Sequence, residues 1–512
     1  MKKRTALRLV AVAGALAWAA FVAFGGKPQP DSAARGAPIA ADARAFSLGK
    51  LDFHACELPQ KHSGATTRAW CAPFSVPEDR AHPSGRQLNL RLALIKSDAP
   101  AADRDIVVYL AGGPGQSAVD SWPRMAAALS PLRKHHHILL LDQRGTGGSN
   151  PLTCKGESSK GVLGGVPDLE QIRQQTRECL HQVEAVGDPR YYTTTAAVHD
   201  LEAVRQALGA PPLDLVGVSY GTRVAQQYLM RYPGAVRSVV LDSVAPNRVA
   251  FGEDFARSLE TALRAQFSAC THTPACAKAF GDPYASLVEL RDSLRAQPRE
   301  VDYRDPVTFA PGHLRLDDVA LRGLVRLFAY EPEAAALLPL SISEGLKGNF
   351  APLAGQQKLL AGDLADLAEN AMQLSVVCSE DADLLAPRPQ DAGTLLGNSL
   401  VESIKTACDV WPHGTRPADF HAALQSRTPA LILEGELDPV TPPAYGSEVL
   451  KGLPNGRLLV AKGQGHNVIG RGCIPRLVAE FVDKLDPLTL DAKCVDDLGP
   501  IPALLDFNGA SP

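Results

Sequence analysis

The stretch Leu213–Leu229 has the sequence LDLVGVSYGTRVAQQYL. Its first half is a short apolar run typical of a buried strand, and its second half, from Thr222, reads as a helix. Ser219 stands between them in a Gly-x-Ser-x-Gly pattern with Gly217 and Gly221. Small residues at those places let a strand and a helix approach each other through a strained turn that presents the serine hydroxyl. The stretch therefore predicts a nucleophilic serine, with an ordinary Ser-Gly turn as the alternative.

Strands alternate with helical segments on both sides of this stretch. Short apolar runs lie at Asp105–Leu110, His136–Asp142 and Val236–Ser243. Between them, apolar residues recur at helical spacing, as in AAVHDLEAVRQALG, residues 196–209. This alternation predicts the α/β class, with a mainly parallel sheet flanked by helices on both faces.

The strand pattern is interrupted in the second half of the chain. Residues 246–426 show mostly helical periodicity, and strand-like runs return at Pro429–Gly435 and Gly456–Gly463. We expect a sheet domain built from residues 47–245 and 427–512, with a mainly helical cap inserted between its two parts.

The N-terminus predicts export. Residues 1–26 contain a basic start followed by the uncharged apolar run Leu9–Phe24, which is typical of a secretory signal. The same segment would anchor the chain to a membrane if it were retained. Residues 27–46 are rich in Pro, Gly, Ala and Ser and predict a flexible leader. The protein is expected to be secreted or periplasmic.

Cysteine usage agrees with an oxidising compartment. The chain has ten cysteines, and sets of even number in exported proteins tend to form disulfides. Pairing between sequence neighbours is one of many possible connectivities. It would join Cys56 to Cys71, Cys154 to Cys179, Cys270 to Cys276, Cys378 to Cys408 and Cys473 to Cys494.

Charge and histidine spacing argue against several classes of ligand. The chain carries 52 basic and 56 acidic residues, a formal net charge of −4, so it has no basic excess for binding nucleic acid. The run His135–His137 lacks the spacing of a metal site. We expect no metal, no cofactor and no nucleic-acid partner, and the sequence predicts no oligomeric state.

A serine nucleophile needs a base and an acid that orients the base. In this kind of fold they follow the serine in the order acid, then histidine, on loops after later strands. Asp438 and His466 each come just after a predicted strand and fit that order. Asp242, after the strand that follows the serine, is the main rival for the acid.

Two backbone amides are needed to hold the oxyanion that forms when serine attacks a carbonyl. Tyr220, directly after the serine, supplies the first. The loop after the strand at Asp105–Leu110 is rich in glycine, and its Gly113 is predicted to supply the second, with Gly112 close behind.

Several motifs in one order resemble the α/β-hydrolase peptidases of the proline iminopeptidase and tripeptidyl aminopeptidase group. They are GGPGQS, LLLDQRGTGGSNP, HDLEAVRQALG, GVSYGT, GELDPVTPP and GQGH, spread between residues 112 and 466. Ala111 stands where iminopeptidases usually carry His before the glycines. This departure favours the tripeptidyl-aminopeptidase-like branch. In this setting Arg144 is expected to order the loop beside the site or to form a surface ion pair.

The resemblance implies a peptidase that acts on short peptides with a free N-terminus. Such an enzyme needs an anion to receive the substrate's ammonium group. The segment LSVVCSEDADLL, residues 374–385, resembles the acidic motif of the family, so Glu380 and Asp381 are the candidates, with a solvated acidic loop as the alternative. An exported carboxylesterase with the same triad and a non-catalytic surface binding protein are the rival functions.

Overall fold

The computed structural model describes residues 45–59, 66–99, 105–155, 168–365 and 370–508. The chain divides into two compact units, residues 1–46 and 47–512. The predicted signal segment and all but the last two residues of the predicted leader lie outside the described residues.

Strands occur along most of the described part of the chain. Their bounds are β1 (Ala45–Leu48), β2 (Leu51–Pro59), β3 (Thr66–Pro77), β4 (Gln87–Ile95), β5 (Ile106–Leu110), β6 (His137–Leu141), β7 (Leu213–Val218), β8 (Val236–Asp242), β9 (Arg299–Arg304), β10 (Pro311–Leu316), β11 (Ala430–Gly435) and β12 (Gly456–Ala461).

The main sheet changes from antiparallel to parallel along its width. From β2 onward its order is β2-β3-β4-β6-β5-β7-β8-β11-β12. Neighbours from β2 to β6 along that order are antiparallel, and those from β6 to β12 are parallel. The prediction of a mainly parallel sheet in the α/β class is confirmed. Parallel strands end at one edge, so the loops after β5, β7, β8, β11 and β12 meet there.

Helices cover the sheet and fill the region between β8 and β11. Their bounds are α1 (Ala118–Leu129), α2 (Leu169–Glu184), α3 (Thr194–Leu208), α4 (Tyr220–Arg231), α5 (Phe255–His272), α6 (Pro274–Phe280), α7 (Pro283–Ala296), α8 (Asp318–Phe328), α9 (Pro332–Ala335), α10 (Leu338–Leu346), α11 (Ala351–Ala365), α12 (Asn370–Glu380), α13 (Ser399–Cys408), α14 (Pro443–Leu450) and α15 (Ile474–Lys484).

The described residues include two apolar clusters, one in the sheet region and one in the mainly helical region. One joins the sheet to the helices beside it and includes Val107, Val216 and Phe481. The other lies among the helices of residues 246–426 and includes Leu263 and Leu338. The antiparallel hairpin β9–β10 adds a small sheet to this mainly helical region. The boundaries 246 and 426 themselves stay a prediction.

Five disulfides cross-link the second unit, and their connectivity is the one predicted from sequence neighbours. All ten cysteines are bonded. Bonds of this kind persist in oxidising compartments, which fits an extracellular or periplasmic protein. None of the helices in the described part of the chain combines the length and apolar character that a membrane crossing requires.

Candidate active site

Ser219 lies at the tip of a strained turn between β7 and α4. Its φ of 55° and ψ of −124° place a non-glycine residue in a backbone region that L-residues avoid. A Cβ on Gly217 would lie 2.5 Å from the carbonyl oxygen of Gly221, and a Cβ on Gly221 would collide with the carbonyl oxygen of Leu110. Both glycines are therefore required by close backbone approach, as the sequence predicted for a nucleophile elbow.

The structure brings the three predicted triad residues into one hydrogen-bonded chain. His466 Nε2 lies 3.0 Å from Ser219 Oγ, and His466 Nδ1 lies 2.7 Å from Asp438 Oδ2. Asp438 and His466 are buried, with 2% and 4% of their surface exposed. A neutral imidazole that donates from Nδ1 to the carboxylate leaves Nε2 free to accept the serine proton.

Local donors fix the Asp438 carboxylate. Its Oδ1 accepts from the amides of Val440 and Thr441, both at 2.8 Å, and its Oδ2 accepts from Thr441 Oγ1 at 2.9 Å. Burial alone would raise the pKa of Asp438, but His466 and these donors outweigh burial and hold that pKa below its ordinary value. The carboxylate therefore stays ionised beside the imidazole.

The pairing that lowers the pKa of Asp438 raises the pKa of His466. Burial would lower the pKa of this imidazole, but the carboxylates of Asp438, Asp242 and Glu331 hold the pKa of His466 above its ordinary value of 6.5. The neutral form that can accept a proton is therefore favoured only above that value.

Asp242, the rival acid, contacts backbone instead of the imidazole ring. Its two oxygens accept from the amides of Val468 and Ile469 at 2.9 and 3.1 Å. Burial raises the pKa of Asp242 to about 6. These contacts hold the loop that follows His466, whereas the Nδ1 contact belongs to Asp438.

The glycine loop after β5 lies close to the side chain of Ser219. A Cβ on Gly112 would lie 3.2 Å from Ser219 Cβ, which places Gly112 against the side chain of the elbow residue. Gly113, which the sequence favoured, lies one residue farther along, with φ of 107° and its own turn tightly packed against Gly115. Tyr220 begins α4 directly after the serine.

Asp142 holds this loop through hydrogen bonds, a role that was not predicted from the sequence. Its Oδ1 accepts from Ser117 Oγ at 2.6 Å and from the amide of Val119 at 3.0 Å, and its Oδ2 accepts from the amide of Gly148 at 3.0 Å. The position of Asp142 directly after β6, in the DQRG motif, was the available signal.

Arg144 of the same motif is buried and orders the neighbouring loops. Its guanidinium binds both oxygens of Asp200, at 2.6 and 2.8 Å, and donates to the carbonyls of Glu78 and Tyr191. The prediction that Arg144 orders a loop is confirmed, and the alternative, that it forms a surface ion pair, is wrong.

The predicted ammonium receptors are fully buried and already have partners. Glu380 accepts from the amide of Thr194 at 2.6 Å and from its hydroxyl at 2.8 Å. Both carboxylate oxygens of Asp381 accept from Arg223 Nη1, at 2.8 and 3.1 Å. Burial, together with the charge of Asp381, raises the pKa of Glu380 to about 8. The alternative of a solvated acidic loop is therefore wrong.

Glu380 is linked to the elbow through one side chain. The Thr194 hydroxyl that donates to Glu380 lies 2.7 Å from the Tyr220 hydroxyl. Tyr220 follows Ser219, so the carboxyl at the end of α12 lies behind the elbow. No sequence signal connects these residues, which come from three separate helices.

The histidine run does not form a cluster. His136 Nε2 lies 2.8 Å from Asp483, and His137 Nδ1 accepts from the amide of Ser97 at 3.0 Å. Across the described ranges, no group of three or more His, Cys, Asp or Glu residues is arranged to hold a metal ion.

Two family models match the chain in the regions that carry this site. Residues 105–277 match the model described as alpha/beta hydrolase fold, and residues 393–494 match the model described as TAP-like protein. The chain has the α/β-hydrolase fold. The first match contains Ser219, and the second contains Asp438 and His466. The resemblance predicted from the motifs is confirmed.

Curated relatives of this α/β-hydrolase chain include peptidases and an esterase. The chain is 33% identical over 236 residues to the tripeptidyl aminopeptidase of Streptomyces lividans, covering 43% of this chain and 42% of that one. It is 26% identical over 457 residues to the serine protease Hip1 of Mycobacterium tuberculosis, covering 81% and 85%. It is 25% identical over 464 residues to carboxylesterase B of the same species, covering 81% and 84%. The match thus spans less than half the length of the Streptomyces relative.

Proposed function

We propose that this protein is an exported serine aminopeptidase that cleaves short peptides near their free N-terminus. The observation that carries the proposal is the chain Ser219–His466–Asp438, with separations of 3.0 and 2.7 Å at a strained strand-to-helix turn. Names of relatives, tripeptidyl aminopeptidase and serine protease, favour peptide bonds as the target.

The proposed reaction is acyl transfer through the serine. His466 Nε2 takes the proton of Ser219 Oγ as the oxygen attacks the scissile carbonyl, and Asp438 stabilises the resulting imidazolium. The imidazolium then gives that proton to the leaving amine as the C–N bond breaks, which leaves an acyl-enzyme. His466 then deprotonates a water that attacks the ester; the acyl C–Oγ bond breaks, the imidazolium returns the proton to Ser219 Oγ, and the acyl part leaves as a carboxylic acid. These steps need no cofactor.

The negative oxygen of each tetrahedral intermediate needs two amide donors. We assign one to Tyr220, at the N-terminus of α4, where the helix dipole favours negative charge. The other belongs to the glycine loop. Gly113 was predicted from the sequence, and the approach of Gly112 to Ser219 supports Gly112 as an equal candidate.

Recognition of the substrate's ammonium group is assigned to the Glu380–Asp381 pair, with Glu380 as the main acceptor. Arg223 already neutralises Asp381, whereas the Glu380 carboxyl contacts only the uncharged Thr194 among the hydrogen bonds of the described residues. The ammonium group would have to displace the Thr194 contacts and ionise the carboxyl. The Glu380 carboxyl lies next to the Thr194 hydroxyl that contacts Tyr220, and this proximity to the active-site turn supports the assignment. Because the carboxyl is buried, substrate binding must offset the free-energy cost of ionising it there.

The test compares anilides of Ala-Ala-Ala, Ala-Ala-Pro, Ala and Pro, each with a free and an acetylated N-terminus. We expect the free tripeptides to be cleaved with the highest kcat/KM, and Glu380→Gln to raise KM for free substrates only. Equal rates on acetylated substrates would overturn aminopeptidase activity. Cleavage of esters alone would favour a carboxylesterase, the activity named for one relative.

A further inference from the structure

A segment of the inserted helical region contacts the loop that carries His466. After α8, the carbonyl of Tyr330 accepts a hydrogen bond from the amide of His466 at 2.8 Å. The ring of Tyr330 lies edge-on to the imidazole, with centroids 5.0 Å apart and planes at 72°. A Cβ on Gly465 would collide with the Tyr330 carbonyl, so this approach requires glycine before the histidine. The backbone and the ring of His466 are thus both held by Tyr330.

The same segment is joined to the histidine loop by two ion pairs. Arg471 binds Glu331 Oε2 at 2.6 Å and Glu333 Oε1 at 2.5 Å. The carboxylates are half-exposed, with 54% and 55% of their side chains accessible, and such pairs contribute little to stability. Their position beside His466 is what distinguishes them from other surface pairs.

Three carboxylates act on the charge of the His466 imidazole. Asp438 follows β11, Asp242 ends β8, and Glu331 follows α8, and all three carboxylates favour the imidazolium. The phenol of Tyr330 packs against the ring as an uncharged group. Arg471, on the histidine's own loop, partly offsets the charge of Glu331. Glu331 is therefore a carboxylate outside the triad that favours the imidazolium, and Arg471 is its ion-pair partner.

We propose that Tyr330, Glu331 and Arg471 are positioning residues for His466, through which the inserted helical region orients the base and sets the charge around it. The inference rests on the proposed function, because it takes His466 as the base. According to this inference, the reactivity of Ser219 depends on how the Tyr330–Glu331 segment packs against the loop that carries His466.

The test measures the rate at which a fluorophosphonate probe labels Ser219 between pH 5 and 9. In the wild type, labelling should fall as the pH drops through the pKa of His466, with a midpoint above 6.5. Glu331→Gln removes a negative charge and should lower the midpoint of the labelling profile by roughly 0.3 to 0.5 pH units. Arg471→Met leaves two uncompensated carboxylates and should move it up by a similar amount.

The chain offers a matched control for these variants. Arg231 forms an ion pair with Asp419, at 2.7 Å through two nitrogens, with similar exposure of 19% and 55%. Arg231→Met should leave the midpoint unchanged. Arg471→Lys keeps the charge and should return the midpoint to the wild-type value. Thermal melting of each variant shows whether it is folded, and Glu331→Gln alone decides the question if Arg471→Met does not fold.

Opposite shifts of the two variants would support the inference. No shift, or shifts in one direction, with a wild type that labels normally, would overturn it and leave the proposed function intact. Absence of labelling in the wild type, or labelling that persists undiminished in His466→Ala, would overturn the proposed function itself.

Discussion

Asp438 and Asp242 are both buried carboxylates near the triad histidine, and their contacts separate their roles. Asp438 binds the ring nitrogen of His466, and Asp242 binds two backbone amides after it. Chain order alone left both residues open as the acid. The difference lies in which atoms each carboxylate faces, and that depends on the fold of residues far apart in sequence.

Exchanging each aspartate for asparagine tests this division. Asp438→Asn should lower kcat by roughly 10³- to 10⁴-fold with little loss of stability, because the imidazole loses its orienting acceptor. Asp242→Asn should lower the unfolding free energy by about 1 to 3 kcal/mol, since its amide nitrogen would face a backbone N–H. Its kcat should fall far less.

Steady-state kinetics and denaturant melts of the two purified variants give the comparison. Asp242→Asn losing more kcat than Asp438→Asn would reverse the assignment and make Asp242 the acid.

At the scale of elements, the turn from β7 to α4 was the most predictable part of the molecule. Its signal is local, because the apolar strand, the two glycines and the helix follow one another within Leu213–Leu229. The hairpin β9–β10 lacked such a signal, since its residues REVDYR and PGHLRL are mostly polar and pair only with each other.

Gly221 offers a direct test of the turn. Gly221→Ala would drive a methyl group into the Leu110 carbonyl at the end of β5, so we expect a loss of roughly 3 kcal/mol or more in unfolding free energy, or no folded protein. Gly234→Ala is the control, because nothing lies within 4 Å of its Cβ position. Equal stability of the two variants by thermal melting would contradict the packing described for the turn.

At the scale of the whole molecule, the site exists only when distant parts of the chain meet. Ser219 and His466 are 247 positions apart, and Asp438 and His466 are 28 apart. The sequence could predict each of them because each follows its own strand, and parallel strands bring such loops to one edge.

Long-range partners explain what the sequence could not predict. Glu380 and Asp381 were predicted from a motif, but their burial depends on Thr194 and Arg223, which lie 186 and 158 positions away. Tyr330, two residues after the end of α8, gave no sign in the sequence of its contact with His466. Pattern analysis detects residues that follow a strand or helix, and it does not detect which distant side chain fills the space beside them.

Mapping the site of a fluorophosphonate adduct tests whether Ser219, activated by His466, is the nucleophile. The folded, oxidised protein is labelled, digested and analysed by mass spectrometry, beside Ser219→Ala, His466→Ala and protein unfolded before labelling. We expect one adduct, on Ser219, that is absent from Ser219→Ala and from unfolded protein and that forms at least about 10³-fold more slowly in His466→Ala. An adduct on another residue, or none on the folded protein, would contradict it.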